Sequence, residues 1–201
     1  MSQRRSLSVQ SRPMTLWSIQ VEEAFALLER EGRLRVPWSY GEPDYAGPYR
    51  WMVQQMTRRI GPPPAKGLTP IWAWYQYKSE ARPKPDLRRT QHLPSGTIGY
   101  RLELVVDLSR CLLSDFILWH CVLNNYYLPI SEADSERFDA LHGSLPTVYL
   151  DSATRASWDR IFDLEWDDPY IADPKPTKMI QATLWEINRS DVVAVDRFVA
   201  R

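Results

Sequence analysis

Side chains able to hold a planar polar ligand are concentrated in residues 70–77, Pro70-Ile71-Trp72-Ala73-Trp74-Tyr75-Gln76-Tyr77. Side chains alternate along a strand, which sets Trp72, Trp74 and Gln76 on one face and Ile71, Ala73, Tyr75 and Tyr77 on the other. An indole offers a broad apolar surface and a single N–H donor, and an amide offers a donor and an acceptor. Both faces are aromatic, so one reads as core and the other as the wall of a cleft. The competing reading, tryptophans filling a lean core, stays open at this point.

A second segment of this kind is residues 179–187. Ile180, Ala182 and Leu184 share a face suited to a core, whereas Gln181, Thr183 and Trp185 share the other and form a polar floor beside an aromatic wall. Such a face can bind an amide or a ribose, or can lie open to solvent. Glu186 has the opposite parity to Gln181. A third cluster gathers Trp119, His120, Asn124, Asn125 and Tyr126 at the end of a predicted helix, where His120 and Asn124 are one turn apart on one face. A helix end that caps itself explains this cluster equally well.

Other chemistries find little support in the spacing. His92, His120, His142, Cys111 and Cys121 show neither a two-residue cysteine gap nor an i, i+4 histidine pair, so no metal is expected. The 8 glycines are scattered and make neither a dinucleotide fingerprint nor a Walker-type loop. Pro94-Ser95-Gly96 lacks the strand–turn–helix setting of a nucleophile elbow. His120 and Cys121 diverge by about 100° on a helix, so that imidazole cannot readily activate that thiol.

The elements that must position these groups follow from periodicity. Residues 16–20 alternate as a strand with Leu16, Ser18 and Gln20 on one face and Thr15, Trp17 and Ile19 on the other. Val21, Ala24, Phe25 and Leu28 have helical spacing before Gly32. Leu34 and Val36 form a short extended piece. Pro48 suits the first turn of a helix whose stripe is Tyr49, Met52, Val53, Met56 and Ile60, stopped by Gly61 and Pro62–Pro64. Residues 78–99 form a long loop carrying the basic stretch Arg82, Lys84, Arg88 and Arg89. Leu102, Leu104 and Val106 mark a central strand. Ser114-Asp115 caps a helix running to about residue 124, with Leu118, Cys121 and Val122 inward. One helical turn is expected around residues 136–141, a short strand over 147–150, a helix over 155–163 and a last strand over 192–199. Strands and helices mix without a regular repeat, which is the α+β class, a mixed or antiparallel sheet flanked by helices.

The chain has 201 residues, 44% of them hydrophobic, enough for one domain with a substantial core. Residues 1–13 read as a mobile tail and 14–201 as a single globular domain. No apolar run reaches the roughly 18 residues of a membrane span and the start lacks a signal-peptide core, so a soluble, cytoplasmic protein without membrane contact is expected. Cys111 and Cys121 read as thiols rather than a disulfide. Lys plus Arg and Asp plus Glu balance at 25 each, which removes the positive field of a general nucleic-acid binder.

Met14-Thr15-Leu16-Trp17-Ser18-Ile19-Gln20, Trp51-Met52, Pro70-Ile71-Trp72-Ala73-Trp74, Leu113-Ser114-Asp115-Phe116, Trp119-His120 and Ile180-Gln181-Ala182-Thr183 together resemble a bacterial family described only as domain of unknown function 3841, over about residues 14–199. That resemblance brings no activity with it. The order of elements is also similar to that of compact ADP-ribosyltransferases, which hold NAD with a first-strand Arg or His, a second-strand Ser, Thr or aromatic residue and a later-strand Glu. The places that match are Ser18 or Gln20, then Trp74 or Tyr75, then Gln181. The first strand here has no Arg or His. Gln181 supplies a dipole where the transferases supply a charge.

That resemblance implies NAD as substrate, held by Ser18, Gln20, Trp72, Trp74, Tyr75, Thr183 and Trp185, with Gln181, Glu186 and His120 as the groups for chemistry. The alternative is a non-catalytic module that stacks a nucleotide on Trp72, Trp74 or Trp185, or that meets a protein partner or other macromolecular target.

Overall fold

A computed structural model describes residues 12–38, 43–90, 92–141 and 144–201. Strand β1 (Pro13–Val21) passes directly into helix α1 (Glu22–Glu31). Two glutamates open that helix, where the macrodipole favours negative charge, and Gly32 closes it in the left-handed conformation at φ 69°, which a residue without a Cβ adopts at little cost. Two short strands follow, β2 (Arg33–Leu34) and β3 (Val36–Pro37), then helix α2 (Ala46–Ile60), β4 (Leu68–Thr69), β5 (Ile71–Gln76), β6 (Ile98–Asp107) and β7 (Leu112–Asp115). Helices α3 (Phe116–Leu123), α4 (Glu132–Leu141) and α5 (Thr147–Ser157) precede β8 (Ile180–Leu184), β9 (Ile187–Asn188) and β10 (Val192–Val199).

Among the described residues the main sheet has six strands in the order β10-β6-β1-β5-β8-β7, every pair antiparallel. The class is α+β, as the sequence predicts. β2 pairs with β9 and β3 with β4 in two small ribbons. One face of the main sheet packs Leu16, Leu102, Leu104, Ile71, Ala73, Ala182 and Leu184 against Leu28 of α1. The opposite face packs Leu112 beneath Met52 and Met56 of α2, Leu118 and Trp119 of α3, and Trp158 and Ile161. The sheet is therefore the middle layer of three.

Several elements differ from the sequence-based expectation. Residues 147–150 open α5 instead of forming a strand: Leu150, Thr154 and Ser157 are buried at helical spacing, and that stripe outweighs the β-branched Thr147 and Val148. The helix expected over 155–163 ends at Ser157 and continues as a 3-10 turn over Trp158–Phe162. α4 is longer than the single expected turn. Pro13 already belongs to β1, and the tail expected over residues 1–13 otherwise lies outside the described residues except for Arg12. No helix among the described residues is long and apolar enough to cross a membrane.

Gly99 of β6 is required by packing. A Cβ built there would lie 2.5 Å from Leu93 Cδ1 and 2.6 Å from the Phe198 ring, closer than side chains tolerate. Gly99→Ala is expected to cost about 1–3 kcal/mol by overpacking, read as a lower midpoint in chemical denaturation. An unchanged midpoint would show that Leu93 and Phe198 move aside freely.

Candidate functional site

Trp17 of β1 and Trp74 of β5 are register partners, and they begin a row across the sheet. Glu103 of β6 pairs with Trp17, Gln181 of β8 pairs with Trp74, and Ser114 of β7 pairs with Gln181. Paired residues share a face, so Glu103, Trp17, Trp74, Gln181 and Ser114 all look to the side covered by α2 and α3. Their cover is divided. Over β5, β8 and β7 it is helical, with Trp72 against Trp119 at 5.0 Å and Tyr49 at 6.3 Å between ring centroids, and Trp74 against Phe116 at 4.9 Å. Over β1 and β6 it is formed by loop residues 78–90 and 92–97, held by Lys84 to Glu103 at 2.8 Å, by Arg101 to the carbonyl of Pro85, and by Leu93 over Gly99.

A cavity of about 190 Å³ lies in the seam between these two covers, lined by Trp17, Ile19, Trp72, Trp74, His92 and Gln181. His92 enters from the loop and is fixed by its Nε2, which lies 3.0 Å from the carbonyl of Asp86 and donates to it. Four buried side-chain polar atoms among the described residues have no hydrogen-bond partner: Trp17 Nε1, Trp72 Nε1, Gln181 Oε1 and Ser114 Oγ. The first three belong to side chains that line this one cavity, and Ser114 is the register partner of Gln181. An unpaired buried polar group costs about 1–3 kcal/mol, and native proteins satisfy most such groups.

Arg82 locks the seam between β1 and β5. Its guanidinium donates to the carbonyl of Tyr75 at 2.6 Å and to the carbonyl of Thr15, and it lies over the rings of Tyr75 at 4.0 Å and Trp17 at 5.9 Å. This cation is committed to the backbone of both strands. Lys84 and Arg88 of the same stretch are paired with Glu103 and Asp86.

The structure brings together three of the residues selected by sequence, Trp72, Trp74 and Gln181, and places the others elsewhere. Ser18 and Gln20 pair with Leu102 and Tyr100 on the opposite face of the sheet from Trp74 and Gln181; Ser18 donates to the carbonyl of Trp72 at 2.8 Å and Gln20 donates to Ser18 at 2.7 Å. A single hollow shared by Ser18, Gln20, Trp74 and Gln181 is thereby corrected, because odd and even positions of β1 look opposite ways. Thr183 donates to the carbonyl of Leu112 at 3.2 Å within the core. Trp185 lies just past the end of β8 and donates its indole N–H to the carbonyl of Gly61 at 3.0 Å. Tyr75 packs against the α1-side core.

Gln76 leaves the face of Trp72 and Trp74 because a bulge sets two residues of β5 against Ile180. Its amide donates to the carbonyls of Lys175 and Lys178 at 2.7 and 2.8 Å. Glu186 lies beyond β8 and pairs with Arg35 at 2.7 Å. His120 is exposed on α3, its Nδ1 donating to the carbonyl of Phe116 at 2.8 Å and its ring 4.4 Å from the Phe116 ring. Of the three groups expected to do chemistry, Gln181 alone reaches the cavity. Burial pushes the Cys111 thiol up to about 12 and raises that of Cys121, so neither offers a ready thiolate.

Sequence reasoning missed Trp17, Ile19 and His92. The signal for Trp17 is its central place on a strand, between Thr15 and Ile19 on one face. His92 carries no local signal, since only the path of the long loop brings it over β1.

No curated protein and no solved structure matches the chain. The family model described as Domain of unknown function (DUF3841) matches residues 15–193, which takes in helices α1–α5 and the strands of the main sheet except most of β10, and the chain belongs to that family.

Proposed function

We propose that the protein is a small-molecule binding module whose seam cavity stacks the flat ring of a nucleotide, NAD among the candidates, between the indoles of Trp17, Trp72 and Trp74. The observation that carries this reading is the convergence of three indoles, Trp17, Trp72 and Trp74, with the side chain of Gln181 around one cavity. Indoles provide stacking that tolerates any planar ring, and the amide of Gln181, which lines the cavity, would hold its polar edge. The base or nicotinamide ring enters, and the sugar and phosphates stay outside, because the cavity is smaller than the roughly 300–1,000 Å³ that encloses a drug-sized ligand.

Transfer of ADP-ribose from NAD is the second reading, favoured by Gln181, which stands on the later strand at the cavity and matches the place of the transferase glutamate. It would rely on Gln181 to orient the ring, with Glu186 and His120 acting only after rearrangement.

Tryptophan emission titrated with NAD and with a panel of nucleosides tests the first reading, and thermal melting in excess ligand provides the linked stability measurement. Emission should change saturably and the melting temperature should rise with at least one planar ligand, both effects being lost in Trp74→Leu. No response to any ligand by either readout would end the binding reading. Release of nicotinamide from NAD reads the transferase activity directly.

A further inference from the structure

A larger cavity, of about 570 Å³, lies between helices α4 and α5 and residues 125–127, which follow α3. It shares no lining residue with the seam cavity. Its volume falls within the roughly 300–1,000 Å³ of sites that take small molecules. Each helix turns one stripe toward it. On α4 the stripe is Ser135, Phe138 and Asp139, and on α5 it is Leu150, Asp151 and Thr154, positions three and four apart that share one face of a helix. The spacing therefore sets one carboxylate from each helix on the surface that faces the gap. The two helices do not close on each other, since α5 buries Leu150, Thr154 and Ser157 while α4 has no buried residue. α4 is held instead at its start, where Asp134 accepts from the Tyr127 hydroxyl at 2.9 Å and from the Ile130 amide at 3.0 Å, and by the stack of Phe138 on Tyr127 at 3.9 Å.

The charge of this cavity is one-sided. No basic side chain among the described residues lines it, and neither Asp139 nor Asp151 has an ion-pair partner among them. The nearby cations are committed elsewhere: Arg137 pairs with Asp134 at 3.2 Å, and Arg160 donates to the carbonyl of Leu128. Tyr126, 62% exposed, brings a ring to the cavity. Its backbone is fixed on both sides, the amide donating to the carbonyl of Cys121 at 2.9 Å and the carbonyl accepting from Trp158 Nε1 at 2.8 Å. A carboxylate and an aromatic face each attract an ammonium or a guanidinium, and Leu145 and Leu150 add apolar surface. We infer that this cavity is a second binding site, for a small organic cation whose ammonium or guanidinium head is carried on an apolar body. The head pairs with Asp139 or Asp151 beside the Tyr126 ring, and the body lies on Leu145, Leu150 and Phe138. An anion of the same shape is repelled, and a neutral analogue keeps the apolar contacts alone.

The test is a calorimetric titration of the full chain with phenethylamine and phenethylguanidine, matched against phenethyl alcohol and phenylpropionate as neutral and anionic analogues. It is repeated on Asp139→Asn, Asp151→Asn, their double variant, Glu136→Gln and Trp74→Leu. Asparagine keeps the volume of an exposed aspartate, so the Asn variants should melt with the parent. At least one cation should bind about tenfold or more tightly than the alcohol, with no binding of phenylpropionate. Each Asn variant should lose about threefold to tenfold in cation affinity, and the double variant should bind cation and alcohol alike. Glu136, on the same acidic helix, does not line the cavity, and Trp74 belongs to the seam, so Glu136→Gln and Trp74→Leu should leave cation binding unchanged. Alcohol or phenylpropionate binding as tightly as the cations would overturn the proposal. So would an equal loss in Glu136→Gln, which would mean adsorption to the acidic face of α4, or a loss confined to Trp74→Leu, which would put the cation in the seam. Undiminished binding by the double variant, or no heat with either cation, would also remove the site, and each of these results leaves the seam reading untouched.

Discussion

Lys178→Met is expected to lower the unfolding free energy by about 3–5 kcal/mol, the usual effect of breaking a buried ion pair from one side. Lys178 is fully buried, and its ammonium donates to Asp115 Oδ2 and to the carbonyl of Trp166, both at 3.0 Å. Methionine fills most of the volume but leaves the Asp115 carboxylate, 1% exposed, without a counter-charge. The same carboxylate starts α3, since its Oδ1 accepts from the amides of Ile117 and Leu118 at 2.8 and 3.1 Å. The helix that carries Phe116 and Trp119 over the cavity therefore depends on a charge held in place by a lysine 63 residues further along the chain. Adding Asp115→Asn to Lys178→Met should recover a large part of the loss, because an amide oxygen still caps the helix and no charge remains buried. Equilibrium denaturation of the parent, the single variant and the double variant measures this. A loss below about 1 kcal/mol in the single variant, the range of exposed pairs, would show that water reaches the pair.

Arg82→Ala is expected to cost about 2–4 kcal/mol, since hydrogen bonds from a charged donor contribute roughly 1.5–3 kcal/mol each and this residue is half exposed. The register between β1 and β5 is the single pair Trp17–Trp74, and beside it the guanidinium holds the carbonyls of Thr15 and Tyr75 together. Arg82→Lys should restore little, because an ammonium lacks the planar fork that reaches two carbonyls while lying on a ring. The variant should also lose most of the nucleoside response, as Trp17 would no longer be fixed relative to Trp74. Retained stability in Arg82→Ala would mean that the two strands are held by their packing alone.

How much of this was legible in the sequence depends on the kind of information each residue carries. Alternation over residues 71–74 and 180–184 was sufficient to put Trp72, Trp74 and Gln181 on inward faces, because period-two parity is local. It was also sufficient to show that Ser18 is opposite in parity to Trp17, but not which of the two faces of β1 would join that of β5. That choice is set by strand pairing, a non-local fact that appears only in the Trp17–Trp74 register. The bulge at Tyr75–Gln76 and the end of β8 before Trp185 interrupt parity with no sequence mark, so Gln76 and Trp185 leave the faces that alternation predicts for them. The α5 helix is hidden because Thr147 and Val148 favour strands locally, while the buried stripe Leu150, Thr154 and Ser157 mixes one apolar with two hydroxyl side chains and gives no apolar period to read. His92 was out of reach, since the position of a loop residue over a sheet follows from anchors elsewhere, here Lys84, Arg101 and Leu93.

The strand order has a kinetic consequence. β1 pairs over its whole length with β6, residues 13–21 meeting residues 99–107, and its other neighbour β5 must in turn wait for β8. Ladders that join distant parts of a chain must close long loops before any contact repays the entropy, which slows folding to the millisecond-to-second range. A newly made amino-terminal segment ending before β6 would display one edge of β1 without the strand it pairs with over its whole length, so refolding yields should fall with protein concentration and recover on dilution.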